Sequence, residues 1–359
     1  MSNVLRQHAE QIFGQELAEL KKNESGKIPV NWLLSPQSVV TYVMGGKLKN
    51  GFEVSPKYIG SRRLIEIAVS TLTTDRALLL YGLPGTAKSW VSEHLAAAVS
   101  GDSTMIVQGT AGIGEEAIRY GWNYAKLLAE GPSESALVRT PVMRAMKDGK
   151  IARIEELTRI TSDVQDTLIT VLSEKTMPIP ELNMEIQAVK GFNIIATANN
   201  RDKGVNELSS ALKRRFNTVI LPLPDSIEEE MDIVQRRVES YEKVMELPAE
   251  KPALEEIRRV VTIFRELRGG ATLDGKSKLK MPSSTLSTAE AISVMNSGLS
   301  MAGYFGDGTL KAADLAAGII GAVVKDPVQD KIVWQEYLET VVKTRDNWKD
   351  FYRACRDLM

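Results

Sequence analysis

Positions 82 to 89 read Gly82-Leu83-Pro84-Gly85-Thr86-Ala87-Lys88-Ser89. Two glycines, a lysine and a hydroxyl residue at this spacing suit one kind of chemistry. Small residues let successive backbone N–H groups turn toward one point ahead of a helix N-terminus, where the helix dipole favours an anion. A polyphosphate fits that point, with Lys88 reaching the β/γ-phosphates and Ser89 offering its hydroxyl to Mg2+. A nucleoside triphosphate is the expected ligand. The residue before the lysine, glycine in most such loops, is Ala87. Its methyl group is small, and helical dihedrals are expected to suffice there.

A second group of reactive side chains follows Gly149-Lys150-Ile151-Ala152-Arg153-Ile154, where an apolar run ends in Glu155-Glu156. Phosphoryl transfer to water needs one acid to hold the metal and another to orient the attacking water. Glu155 is expected on the metal side, with Glu156 as the water-activating base. The same stretch, Glu-Glu-Leu-Thr-Arg, also reads as the first turn of a helix. Glu155 is one methylene longer than the usual aspartate, and Arg153 puts a charge inside a mostly buried strand. Further on, Phe192 to Ala198 form a strand-like run ending in Asn199-Asn200. At the end of a strand beside the phosphate loop, Asn199 would hang over the γ-phosphate; as a bland alternative it is a turn asparagine. Ser209-Ser210-Ala211-Leu212-Lys213-Arg214-Arg215-Phe216 ends a helix in three cations. Cations favour a helix C-terminus through the dipole; alternatively, a guanidinium here serves a neighbouring subunit's γ-phosphate.

These residues need a scaffold. Arg76 to Tyr81 has the composition of a buried strand, and Trp90 to Ala98 that of a helix. Ser162-Asp163-Val164-Gln165 has capping-box spacing, and Val164, Leu168, Ile169 and Leu172 then share a helical face. Met177 to Leu182 reads as a proline-containing turn. From about 51 to 224, apolar strands alternate with amphipathic helices, which predicts an α/β layer with a parallel sheet flanked by helices. Pro222 and Pro224 punctuate its end, Ser226 is placed to cap the next helix, and Glu228-Glu229-Glu230 fill that helix's first turn. Residues 225–359 read as all-α, broken once by Arg268 to Lys280. Residues 1–50 start as a helical segment, then turn polar from Lys21 to Lys27.

The 359 residues are 43% hydrophobic and 25% charged, with a formal net charge of −1. No global basic field argues for nucleic acid or an anionic membrane. One cysteine, Cys355, and two histidines, His8 and His94, preclude an intrachain disulfide and give too few ligands for a Cys/His zinc site. Cys355 is expected to be an idle thiol on the last helix. The first residues lack a signal-peptide core, and the longest apolar stretch near the end, Leu315 to Val324, suits a packed helix. A cytoplasmic location is expected.

In their order and spacing, the phosphate loop, Glu155-Glu156-Leu157-Thr158-Arg159, Ile195-Ala196-Thr197-Ala198-Asn199 and Leu208 to Phe216 resemble the AAA+ ATPases, specifically the MoxR branch. The likeness runs from about Tyr58 to Pro224. It implies a P-loop NTPase fold with a helical lid, and ATP with Mg2+ as cofactors. The implied nucleotide-binding set is Ile59 and Gly60 near adenine, then Gly82, Leu83, Pro84, Gly85, Thr86, Ala87, Lys88, Ser89 and Trp90. Lys88 and Ser89 match Walker A, Glu155 and Glu156 match Walker B, and Asn199 matches sensor 1. Arg215 resembles the arginine finger, with Arg214 as second candidate. The family's sensor-2 arginine has no counterpart in Ser283 to Glu290; Lys278 or Lys280 replaces it, or the contact is absent. Such proteins resemble hexameric rings that remodel client proteins, often with a von Willebrand A domain partner. The branch's pore-facing insert corresponds to Gln108 to Asp148. There Tyr120-Gly121-Trp122-Asn123-Tyr124 reads as a helix whose aromatics are core, or, for Trp122 and Tyr124, client-gripping. Two other readings remain open: a motor subunit of a metal-chelatase-like or DNA-acting complex, and a nucleotide-dependent switch with little turnover.

Overall fold

A computed structural model describes residues 4–199 and 206–358 of the chain, so Asn200 lies outside the described residues. Strands β1 (Ala77–Gly82), β2 (Ile106–Gln108), β3 (Ile151–Glu155), β4 (Asn193–Asn199) and β5 (Phe216–Ile220) form one sheet in the order β5-β1-β4-β3-β2. Every neighbouring pair is parallel. Strands β1, β3 and β4 are buried nearly end to end, because helices cover both faces of a parallel sheet. Register does the positioning. Asn199 lies opposite Gly82, and Ala196 opposite Ile154, which brings the carboxyl ends of β1, β3 and β4 side by side. In open parallel sheets that edge is where ligands bind.

Two compact units divide the chain. One runs up to Leu83 and from Ala87 to Pro222, and the other takes Pro84–Thr86 and Leu223 onward. In the first, the helix Lys88–Ser100 is buried from Val91 through Val99 and ends on Gly101 at φ 66°. Its apolar positions Val91, Leu95 and Val99 share a core with β1 and with Leu17, Leu20, Trp32 and Tyr42 from the first fifty residues. Those N-terminal residues wrap the helix through polar contacts as well. Arg6 Nη2 meets Glu93 Oε2 at 2.7 Å, and the Ala9 N–H donates to Glu93 Oε1 at 3.2 Å. Lys57 pairs with Glu16, its Nζ lying 4.4 Å from the Phe13 ring centroid and 4.5 Å from that of Tyr42.

Several local expectations need correction. Tyr120–Trp122 is a strand paired antiparallel with Leu137–Arg139, and only Tyr124 opens the helix Tyr124–Glu130. The β-propensity of Tyr and Trp and the pairing across the insert override the helical reading. Thr176–Ile179 pairs with Met184–Gln187, so Met177 to Leu182 belongs to a hairpin rather than a simple turn. Thr161, not Ser162, precedes the helix Ser162–Asp166, and no capping box forms. Gln165 instead turns inward, its amide donating to the carbonyls of Ile160 (2.8 Å) and Leu157 (3.3 Å).

In the second unit, six α-helices among the described residues run from Ile227 to Asp357, so this stretch breaks several times rather than once. Ser226 caps the first, accepting the Glu229 N–H at 3.1 Å. Trp334, Tyr337, Trp348 and Phe351 are buried in the common core with Phe264 and Leu299. Cys355 is buried there, and burial pushes its thiol up to about 12, the inert state expected of it.

Glu230 is fully buried and accepts from Arg265 Nη1 (3.0 Å), Arg268 Nη2 (2.8 Å) and Thr288 Oγ1 (2.8 Å), joining three helices at one carboxylate. Burial pushes its pKa up, but the hydrogen bond and charge of Arg268, with Thr288 and Arg265, outweigh this and hold it below the ordinary value. Removing one partner of a buried pair costs about 3–5 kcal/mol, so Glu230→Ala should lower the unfolding midpoint markedly. A depressed folded pKa contributes stability above the unfolded value and loses it as pH falls through the folded one. Urea unfolding compared between neutral pH and a pH below 4.5, the ordinary glutamate value, should therefore show a larger stability loss in the wild type than in Glu230→Gln.

Candidate active site

The phosphate loop leaves β1 at Gly82 and re-enters regular structure at Lys88. Gly85 has φ 81° and Thr86 is buried. Ala87, expected with helical dihedrals, sits at φ 62°, ψ 20°, in the left-handed region. The turn that aims the loop's N–H groups requires that conformation, and alanine accepts it against a cost of about 1–2 kcal/mol. Lys88 is buried, its Nζ donating to the carbonyls of Leu83 (2.7 Å) and Gly82 (3.2 Å). Trp90 donates its indole N–H to Lys57 O at 2.8 Å. That bond ties the helix to the segment carrying Ile59, half-buried, and Gly60, exposed, ahead of the helix Arg62–Leu72.

At the end of β3 the Glu155 carboxylate is 2% exposed. Its Oε2 accepts from Ser89 Oγ at 2.6 Å and Thr197 Oγ1 at 2.7 Å. Its Oε1 accepts from Arg153 Nη2 at 2.8 Å and from the Ser92 hydroxyl. Arg153, the charge inside the strand, is also buried. It donates to Ser92 Oγ (2.9 Å), Ser103 O (3.1 Å) and Ser89 O (3.1 Å) besides Glu155. Burial raises the Glu155 pKa, yet the Arg153 charge and the three hydroxyl donors outweigh that and hold it below the usual glutamate range. The result is an ionised carboxylate against a serine hydroxyl. An oxygen-only donor pair of this kind fits a hard cation that takes most of its other ligands from phosphate and water.

Glu156 follows at φ 57°, ψ 45°, a left-handed non-glycine residue of the kind that concentrates at functional sites. Its N–H donates to Thr197 Oγ1 at 3.0 Å, so one threonine holds both acids. Its Oε2 meets Arg159 Nε at 2.5 Å, and Asn199 Nδ2 reaches Oε1 at 3.5 Å. Behind the pair the Gly109 N–H donates to Glu155 O at 2.7 Å. A Cβ on Gly109 would lie 2.4 Å from Glu156 O, so only glycine fits. Ser89, Glu155, Glu156 and Asn199 thus stand together, as the sequence implied. Arg215 stands elsewhere: its Nη1 donates to Ala211 O at 2.5 Å and its Nε to Ser173. Arg214 is exposed, and its carbonyl accepts from Arg76.

Ser92, Thr197 and the partnership of Arg153 with Glu155 escaped sequence reasoning. The one available signal was Arg153, a charge in a buried strand that must have a partner. Ala87→Gly should relieve the left-handed strain and stabilise the chain by about 1 kcal/mol, whereas a β-branched Ala87→Val should destabilise it. Thermal unfolding midpoints of the two variants check the sign.

The profile of the AAA domain of the dynein-related subfamily matches residues 77–216, and that of the YehL-like AAA+ ATPase C-terminal domain matches residues 228–358. The uncharacterized protein YehL of Escherichia coli K12 is 39% identical over 362 residues, covering 98% of this chain and 97% of YehL. An uncharacterized protein of Staphylococcus aureus strain USA300 is 33% identical over 144 residues, covering 40% of this chain and 54% of that protein. Among solved structures, NtrX from Brucella abortus aligns with a TM-score of 0.50 at 12% identity, over 82% of this chain and 62% of NtrX. At that identity the likeness concerns the fold alone. A relative aligned along almost its whole length, together with the two domain profiles, establishes that this chain belongs to the YehL-like AAA+ ATPases.

Proposed function

We propose that the chain is a MoxR-type motor that hydrolyses ATP with Mg2+ at the interfaces of a homo-oligomeric ring, a hexamer, and uses turnover to remodel or activate a client protein. The observation carrying this reading is the cluster of Ser89, Glu155, Glu156 and Asn199 at the carboxyl edge of the sheet. The backbone N–H groups from Gly82 to Ser89 and the Lys88 ammonium bind the phosphates. Ser89 and Glu155 Oε2 would hold the metal, which would supply positive charge to offset that of the phosphates. Glu156 takes the proton of the attacking water at Oε1. As the water oxygen bonds to the γ-phosphorus, the bond to the bridging oxygen breaks and its electron pair leaves with ADP. Asn199, adjacent to that carboxylate oxygen, orients the water and registers loss of the phosphate. Lys88 offsets the developing charge, with Arg215, or Arg214, supplied by the neighbouring subunit.

A protein client is favoured over nucleic acid by the net charge of −1 and by the insert Tyr120–Arg139. There the helix Tyr124–Glu130 leaves Tyr124 73% and Leu128 88% exposed. A partner with a von Willebrand A domain and a cytoplasmic site of action belong to the same proposal. No helix among the described residues is long and apolar enough to cross a membrane.

Glu156→Gln keeps the size and hydrogen-bonding reach of the side chain but removes its basicity. The variant should bind ATP as the wild type does and hydrolyse it about 10²–10⁴-fold more slowly. Equal turnover of the two, measured by phosphate release, would overturn the assignment of the base.

A further inference from the structure

Arg153 touches two elements at once. From β3 its Nη2 reaches both Glu155 Oε1 and the backbone carbonyl of Ser89, at 2.8 and 3.1 Å. These are the two residues whose side-chain oxygens meet at 2.6 Å on the other side of the carboxylate. Ser92 lies between them, one turn beyond Ser89 on the same helix. Its oxygen accepts from Arg153 Nε at 2.9 Å, and its hydroxyl lies within donating distance of Glu155 Oε1 and, at 3.1 Å, of the Ser89 carbonyl. The two oxygens of Glu155 therefore have separate tasks: Oε1 is anchored by Arg153 and Ser92, while Oε2 faces the hydroxyls of Ser89 and Thr197.

A glutamate needs such an anchor more than an aspartate does. Its extra methylene adds a rotatable bond, and each freely rotating bond disperses the position of the terminal oxygen among staggered wells. A guanidinium is suited to remove that freedom, because its N–H groups radiate in one plane in fixed directions and do not lose their charge.

We propose that Arg153 and Ser92 are positioning residues that pin Oε1 of Glu155 to the first turn of the helix Lys88–Ser100, so that Glu155 Oε2 and the Ser89 hydroxyl are presented together to a divalent cation arriving with nucleotide. The proposal rests on the reading of Ser89 and Glu155 as the cation's protein ligands. It assigns Arg153 and Ser92 no contact with substrate. Their effect passes through Glu155, as second-layer partners of metal ligands commonly act.

Binding of a fluorescent ADP analogue to the full chain, first in EDTA and then across a Mg2+ titration, tests this without requiring turnover. In the wild type, Mg2+ should tighten binding. Ser92→Ala should keep the EDTA affinity but need about tenfold more Mg2+ for half its effect, the usual scale for losing a second-layer partner. Ser92→Thr, which retains the hydroxyl, should restore the wild-type midpoint. Arg153→Lys keeps the charge but loses the planar fork and should shift the midpoint in the same direction as Ser92→Ala. Thermal unfolding of each variant identifies those that fold. A folded Ser92→Ala or Arg153→Lys chain with the wild-type Mg2+ midpoint would overturn the proposal and leave the pair a purely structural role. Nucleotide binding by the wild type that ignores Mg2+ would instead overturn the cation reading itself, an outcome visible before any variant is made.

Discussion

Taking the Glu155 carboxylate out of water is the constraint to which the rest of the site answers. Burial alone favours its neutral form, which would be a poor ligand for a cation. The charge of Arg153 and the hydroxyls of Ser89, Ser92 and Thr197 reverse that preference. These donors come from three elements: the helix after the phosphate loop, β3 and β4. Keeping the carboxylate ionised therefore fixes the helix on the sheet and β4 in register with β3. A buried pair of this kind adds little stability compared with an apolar core, and its removal on one side is costly. Its value lies in geometry, since the same bonds that satisfy the charge set the distance between Glu155 and Ser89.

The parallel register extends this order to the remaining groups. Asn199 opposite Gly82 puts the polar end of β4 beside the start of the phosphate loop. Thr197, two residues earlier on β4, accepts the Glu156 N–H and donates to Glu155. The helix Lys88–Ser100 is held from behind by residues that carry none of the chemistry. Glu93 receives Arg6 and the Ala9 N–H, and Trp90 is bonded to Lys57 O. The N-terminal residues thus have a structural task in the first unit: they cover the helix that carries Lys88 and Ser89.

Much of this was legible in the chain itself, for a physical reason. The phosphate loop works through backbone groups at fixed spacing, so its sequence nearly determines its geometry. The same holds for acids at the end of an apolar strand. What could not be read depends on contacts made only in three dimensions. Ser92 and Thr197 look like ordinary residues of a helix and a strand; packing of the helix on the sheet brings the first onto Glu155, and strand pairing brings the second. Ala87 misled because its size suggested helical dihedrals, whereas the turn demands a positive φ. Tyr120 to Trp122 misled because its pairing partner, Leu137 to Arg139, lies beyond an intervening helix. Gln165 has the spacing of a capping box, but two buried carbonyls compete successfully for its amide.

The most direct measurement of the central claim is phosphate release from ATP by the purified chain, with Mg2+ and with EDTA, over a range of protein concentrations. Turnover that requires Mg2+ and rises per subunit as concentration increases is the result expected of the proposed motor, in which a neighbouring subunit supplies an arginine. Turnover that is absent at every concentration, or the same with and without Mg2+, would contradict it.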